Sequence, residues 1–191
     1  MSRVYALLNK LALASIEMQF GGFTMSRTQR LALAGLLVAT GVSLSAFSFP
    51  AGVARCFPIQ HMVNVLAGAL LGPWYAVGMA FVTSAIRNMI GTGSLLAFPG
   101  SMIGALLAGY VATKTNGKLI PTCLAELFGT GVLGALAAWP VAAFVLGRDV
   151  AIFAFVIPFL VSSSGGAMIA FGILTALQRT KLLTHLPHNT A

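Results

Sequence analysis

The sequence predicts an all-α integral membrane protein with six transmembrane helices and with its N- and C-termini in the cytoplasm. Of its 191 residues, 58% are hydrophobic and only 7% are charged, and the mean hydropathy is +0.95. Soluble domains carry about 25% charged residues, so a water-soluble domain is excluded. Only seven charged residues occur between Arg30 and Arg179, which leaves apolar intervals long enough for spanning helices.

Glycine and proline divide these intervals into helices, because proline tends to start a helix and glycine to end one. In chain order, the breaks fall at Phe49–Gly52, Phe57-Pro58, Gly72-Pro73, Gly91–Gly93, Phe98–Gly100, Asn116-Gly117 and Gly147. The helices predicted between them cover residues 29–48, 59–72, 73–90, 99–114, 119–146 and 150–178.

The distribution of basic residues predicts the orientation. Cytoplasmic loops are enriched in Lys and Arg, and six spans with the N-terminus inside place eight basic residues on the cytoplasmic side and three on the outside. The outer three are Arg55, Arg87 and Arg148. An odd number of spans would carry Arg179 and Lys181 outside, so the charge bias supports an even number.

Residues 25–180 form the predicted membrane domain, and the two flanking segments stand apart from it. Residues 1–24 are apolar but short and interrupted by charges, so they make a poor span. Met25-Ser26-Arg27 repeats the opening Met1-Ser2-Arg3, which indicates a start-site artefact upstream; an interfacial helix is the alternative. Residues 181–191 are expected to be a polar cytoplasmic tail.

The second and third helices carry polar side chains that are unusual in lipid. An ionisable side chain at mid-helix costs about 2.5–3.5 kcal/mol there, so it tends to face a cavity or a partner. Counting 1.5 Å per residue from the turn between the two helices places the whole set in one outer layer, level with the loop around Thr92, and predicts a polar chamber open to the outside. Snorkelling to headgroups and packing against other helices are the alternatives. The set consists of His61, Asn64, Arg87 and Asn88.

Two residues of the fifth helix are further candidates. Glu126 lies about two turns from the helix start, where a carboxylate must be paired, protonated or exposed to water. The same counting places it well below Arg87, which argues against a direct pair. Trp139, near the outer end, is either an interfacial anchor or an aromatic wall for a ring-shaped ligand. In the sixth helix, the run Ser162–Gly166 indicates close helix contact or a polar cavity wall.

Small residues recur every four positions along the first helix, at Gly35, Ala39 and Ser43. Such a stripe lets another helix approach closely. Packing within the chain and docking of a partner subunit both explain it.

Several functional classes lack their motifs in this sequence. It contains no Gly-Lys-Ser/Thr phosphate loop, no paired carboxylates and no His- or Cys-rich metal motif, so we expect no ATPase activity, cofactor or metal. The basic residues are scattered, so nucleic acid is not an expected partner. These features favour a substrate-binding membrane subunit that takes its energy from partner proteins. An integral membrane enzyme and a channel or assembly factor are the alternatives.

Three segments carry a resemblance to a known family: FPIQHMVNVLAGALLGPWYAVGMAF from Phe57, IRNMIGTGSLLAFPGSMIGALLAG from Ile86 and AELFGTGVLGALAAWPVAAFVLG from Ala125. From about Thr28 to Gln178 the chain resembles the ThiW family, the thiamine-precursor S components of energy-coupling factor (ECF) transporters. The resemblance implies a six-helix S-component bundle in the plasma membrane of a prokaryote, with a binding site near the outer face. It also implies a transmembrane coupling subunit and two ATPase subunits as partners.

The resemblance further implies a substrate and roles for the candidate residues. The substrate would be the hydroxyethyl-methylthiazole precursor of thiamine or its phosphate; another vitamin or precursor, such as the thiamine pyrimidine, is the alternative. A neutral alcohol does not require an arginine, and a phosphate suits Arg87 better. Docking on the coupling subunit would use Gly35, Ala39 and Ser43. The expected substrate-binding residues are Phe57, His61, Asn64, Arg87, Asn88, Thr92, Phe98, Glu126 and Trp139.

Overall fold

The structure is a computed structural model and describes residues 25–179. The predicted N-terminal extension, residues 1–24, and the predicted polar tail, residues 181–191, lie outside the described residues. Within residues 25–179 the chain forms six helices and one short hairpin. The elements are α1 (Arg27–Ser43, followed by a 3₁₀ turn at Leu44–Ala46), β1 (Phe49–Ala51), β2 (Ala54–Cys56), α2 (Pro58–Leu71), α3 (Pro73–Met89), α4 (Ala97–Lys114), α5 (Leu119–Val145) and α6 (Val156–Arg179).

One segment departs from the predicted all-helical architecture. The break between the first two helices folds into an antiparallel hairpin, in which Phe49 pairs with Cys56 and Pro50 with Arg55. Gly52 turns the chain with φ +58°, a conformation that glycine adopts without strain. A two-stranded ribbon has only edge strands, and these tolerate proline. The hairpin places Arg55 and Phe57 over the end of the bundle.

Helix boundaries follow the local chemistry that the sequence indicates. At the start of α1, Ser26 and Gln29 form a capping box: the Gln29 N–H donates to Ser26 Oγ at 3.2 Å, and the Ser26 N–H donates to Gln29 Oε1 at 2.8 Å. Both α2 and α3 begin with proline, and Gly72 makes the turn between them with φ +86°. Five of the six observed helices start within a few residues of the predicted positions. The sixth begins at Val156 and not at residue 150, because residues 152–155 first form turns.

Helix α5 is not a regular α-helix throughout. It widens to π geometry at Gly129–Gly134 and again at Val141–Val145, directly after Pro140. Proline lacks the amide that an α-helix needs, which explains the second widening. At the first, the helix presses on α4: a Cβ at Gly134 would lie 2.6 Å from the Cα of Gly100. Widened turns often occur at functional sites, and this one holds Thr130.

The centre of the bundle is α2, which contacts all five other helices and is buried from Gln60 to Ala69. The outer faces of the other helices expose large apolar side chains: Trp74 is 79% exposed, Phe144 80% and Met168 75%. A soluble monomer rarely exposes contiguous apolar patches of this kind, whereas lipid solvates them. Three helical segments are long and apolar enough to cross a membrane: Arg27–Ala46, α5 and α6.

Candidate functional site

A cavity of about 550 Å³ lies where α1, α3 and α5 end and α2, α4 and α6 begin. This volume is within the range of small-molecule sites, about 300–1,000 Å³. The hairpin, the loop after α3 and the first turns of α2, α4 and α6 form its walls. Of the predicted substrate-binding residues, Phe57, His61 and Thr92 line it.

Arg87 lies behind the cavity wall and is only 1% exposed. Its guanidinium donates hydrogen bonds to Gln60 Oε1 and, at 3.1 Å, to the carbonyl oxygen of Thr92. The guanidinium carbon lies 3.9 Å from the centroid of the Phe57 ring, a cation–π distance. Its Nε–H has no partner, and no carboxylate among residues 25–179 forms an ion pair with it. All of these contacts are with residues that line the cavity.

Asn88 and Thr92 fix the loop that follows α3. The Asn88 side-chain amide donates to the carbonyl oxygen of Ser94 at 3.2 Å. The backbone N–H groups of Thr92 and Gly93 donate to the carbonyl oxygen of Arg87 at 2.9 and 2.8 Å. A Cβ at Gly93 would lie 2.7 Å from the Asn88 nitrogen, so only glycine permits this close turn. The backbone amides of Thr92 and Gly93 therefore complete the hydrogen bonding at the end of α3 and are not free to bind a ligand.

His61 faces the cavity and is bound to Glu126 behind it. Its Nδ1 lies 2.8 Å from Glu126 Oε1, and the Thr130 hydroxyl donates to the same oxygen at 2.9 Å. Glu126 is fully buried, with 0% exposure, and its second oxygen has no partner. Because a carboxylate only accepts hydrogen bonds, the proton of this bond lies on Nδ1 of His61. The other ring nitrogen, Nε2, is then available to a ligand.

The polar set that was expected to share one layer is divided among different partners. Asn64 does not face the cavity: its amide donates to Ser101 Oγ at 3.0 Å, and the Ser101 hydroxyl donates back at 3.2 Å. His61 pairs with Glu126, although helix counting placed them at different depths, because counting along helix axes ignores the reach of the side chains. As counting indicated, Glu126 forms no pair with Arg87.

Two aromatic candidates lie away from the cavity. Phe98 packs on Phe81 of α3, with ring centroids 5.6 Å apart. Trp139 donates through Nε1 to the carbonyl oxygen of Val150 at 2.9 Å and packs edge-on against Phe144 at 5.9 Å. The Phe98 contact joins α4 to α3, and the Trp139 hydrogen bond anchors the loop between α5 and α6.

Comparison with known protein families identifies the family of this chain. A family model for thiamine-precursor transporter proteins (ThiW) matches residues 31–180. The chain belongs to the ThiW family. Membership implies transport of a small-molecule thiamine precursor and a place in a membrane. No curated protein and no solved structure matches the chain.

The small-residue stripe of this ThiW-family chain faces outward. Gly35, Ala39 and Ser43 are all exposed, and a Cβ at Gly35 would meet no atom within 4 Å. Gly35 also lines an apolar groove of about 420 Å³ between α1 and α3, together with Gly78 and Trp74. Packing within the described chain therefore does not account for the stripe.

Several residues at the site were not singled out in the sequence. Gln60 joins Arg87 to the cavity wall, and its own amide donates to Ser84 Oγ at 3.1 Å. A glutamine in so apolar a helix was a usable signal. Arg55 and Arg148 also line the cavity but were interpreted only as topology markers. No group of three or more His, Cys, Asp or Glu side chains comes together in the described part of the chain.

The serine–glycine run of α6, Ser162–Gly166, both lines the cavity and makes a close helix contact. Ser162 lines the cavity and accepts a hydrogen bond from the Phe57 N–H at 2.7 Å. A Cβ at Gly166 would lie 2.6 Å from the Cβ of His61. Glycine at this position therefore lets α6 approach the helix that carries His61.

Proposed function

We propose that this chain is the substrate-binding membrane subunit, or S component, of an ECF-type importer that takes up the thiazole precursor of thiamine. The observation that carries the proposal is the cavity of about 550 Å³ in a chain whose family transports thiamine precursors. The cavity lies at one end of an apolar bundle and combines the aromatic ring of Phe57 with the polar side chain of His61. These are the groups that a polar heteroaromatic ring requires.

In this proposal all six helices cross the membrane and the cavity opens to the outside. At the end of the bundle opposite the cavity, the described chain carries five basic residues, Arg27, Arg30, Lys114, Lys118 and Arg179. The positive-inside rule assigns that end to the cytoplasm. Helix α2 has only 14 residues, but the other helices surround it, so it need not match the thickness of the lipid core by itself.

The thiazole ring would lie between Phe57 and His61. With Nδ1–H donated to Glu126, His61 presents Nε2 to the substrate, where it accepts a hydrogen bond from the hydroxyl or, when protonated, donates one. Glu126 acts through His61 as a positioning residue. Asn64, Asn88, Arg87, Phe98 and Trp139 support the walls from behind.

The partner proteins would be a transmembrane coupling subunit and two ATPase subunits, which supply the energy. The exposed stripe Gly35, Ala39 and Ser43, beside the groove between α1 and α3, is the proposed docking face. Small residues let a partner helix approach the α1 backbone closely.

Substrate specificity is tested by isothermal titration of the purified chain. We expect saturable binding of hydroxyethylthiazole or its phosphate and no binding of the hydroxymethylpyrimidine precursor. Binding of the pyrimidine alone would move the assignment to the other half of thiamine. A failure to bind either compound would favour a channel or assembly role.

Docking is tested by co-purification with the coupling subunit. Gly35→Leu fills the exposed stripe and should abolish co-purification while leaving substrate binding unchanged. Gly172→Leu is the matched control, because Gly172 is also an exposed helical glycine with no atom within 4 Å of a Cβ. Equal co-purification of both variants would contradict the docking assignment.

A further inference from the structure

The charges around the cavity are predominantly positive. Arg55 and Arg148 line it, and none of its lining residues is acidic. Among residues 25–179 the acidic side chains are Glu126, which His61 separates from the cavity, and Asp149, which is exposed and forms no ion pair. The cavity therefore has cationic groups at its wall and no carboxylate facing them.

Arg87 adds a third positive charge directly behind this wall. It is 1% exposed, its hydrogen-bond acceptors are the neutral oxygens of Gln60 and Thr92, and its Nε–H is unpartnered. A buried charge without a counterion is costly, and the cost is greater still in a membrane bundle. The residues that Arg87 contacts line the cavity, so an anion bound there would supply the missing counter-charge.

A neutral ligand explains only part of this arrangement. The aromatic ring of Phe57 and the imidazole of His61 suffice for a thiazole alcohol, and neither needs an arginine. Guanidinium groups bind phosphate through paired, charge-assisted hydrogen bonds. Arg55 and Arg148 line the same cavity from different segments, the hairpin and the loop after α5. The Arg55 guanidinium donates one hydrogen bond to Ser48 Oγ at 2.9 Å, and Ser48 also lines the cavity.

We propose that the cavity is built for a phosphate monoester, with the phosphate held by Arg55 and Arg148 and favoured by the positive potential of Arg87. This inference rests on the proposed function and narrows its substrate to the phosphorylated form of the thiazole precursor. The ring then lies deeper, against Phe57 and His61. The phosphate remains near the solvent-exposed arginines.

The test compares the affinities of hydroxyethylthiazole and its monophosphate by isothermal titration. The full-length chain is reconstituted in nanodiscs of zwitterionic lipid and, separately, of lipid that includes an anionic phospholipid. We expect the monophosphate to bind about tenfold to a hundredfold more tightly in both lipids, with an advantage that decreases as salt is added. The double variant Arg55→Gln/Arg148→Gln should lose most of this advantage and bind the alcohol within about twofold of the unmodified chain.

Arg27→Gln is the matched control, because it removes one exposed arginine at the opposite end of the bundle; it should retain the full preference. Equal affinities for the two compounds would overturn this inference and leave the proposed function intact. The inference would also be overturned by a preference that persists in the double variant, or by one that disappears in anionic lipid, where the arginines would be binding headgroups. If neither compound binds, both this inference and the proposed function are wrong.

Discussion

Two buried ionisable clusters lie beside the cavity and differ in how their charge is balanced. In the His61 cluster, His61, Glu126 and Thr130 bind one another, and a carboxylate faces an imidazole at 2.8 Å. In the Arg87 cluster, a guanidinium meets only neutral oxygens and the ring of Phe57. The first is largely satisfied within the chain, so its main effect is on the shape and stability of the site. The second lacks a counter-charge, so its main effect is on the ligand.

Glu126→Ala should have the largest effect, because it leaves the Nδ1–H of His61 and the hydroxyl of Thr130 without their shared acceptor. Breaking a buried pair by removing one partner costs about 3–5 kcal/mol. Glu126→Gln keeps an acceptor oxygen and should cost about 1–3 kcal/mol. Reversible unfolding in mixed micelles measures both free energies. Equal stability of the two variants would mean that the His61 cluster is not held by this oxygen.

Arg87→Met should affect ligand affinity more than stability. Arg87→Met removes the cost of burying an uncompensated charge, but it leaves Gln60 Oε1 and the Thr92 carbonyl oxygen without their donor. Because these two effects oppose each other, we expect the free energy of unfolding to change by less than about 1.5 kcal/mol. Affinity for the thiazole monophosphate should fall by about tenfold or more. Arg27→Met, at an exposed position, is the control. A stability loss as large as that of Glu126→Ala would eliminate the contrast between the clusters.

Trp139→Phe should have the smallest effect and separates the cavity wall from the structure behind it. The variant loses the indole N–H bond to the Val150 carbonyl, which is worth about 1 kcal/mol, but retains an aromatic ring. Thermal unfolding should show a small destabilisation, and substrate affinity should stay within about twofold. A large loss of affinity without destabilisation would instead assign Trp139 to the substrate.

The helices were predictable because proline, glycine and rare charges mark their ends in this sequence. The hairpin was not: the segment from Phe49 to Cys56 is rich in turn residues, and its pairing depends on covering the end of a bundle that forms elsewhere in the chain. For the same reason, Arg55 was interpreted as a topology marker and not as part of a cavity.

The polar candidates were predictable, but their partners were not. His61, Arg87 and Glu126 stand out because ionisable side chains are expensive in an apolar helix. Their pairings depend on the rotation of each helix and on the π widening at Gly129–Gly134, which shifts the register of α5. A count at 3.6 residues per turn takes account of neither the rotation of each helix nor the π widening. Thr130, which lies in the widened turn, therefore had no signal in the sequence.

Binding of the phosphorylated thiazole in this cavity is tested most directly by a structure of the purified chain with hydroxyethylthiazole phosphate bound. We predict that the ring contacts Phe57 and His61 in the cavity beneath the hairpin and that the phosphate lies between Arg55 and Arg148. A ligand in the groove between α1 and α3, or in any position that leaves this cavity empty, would contradict this prediction.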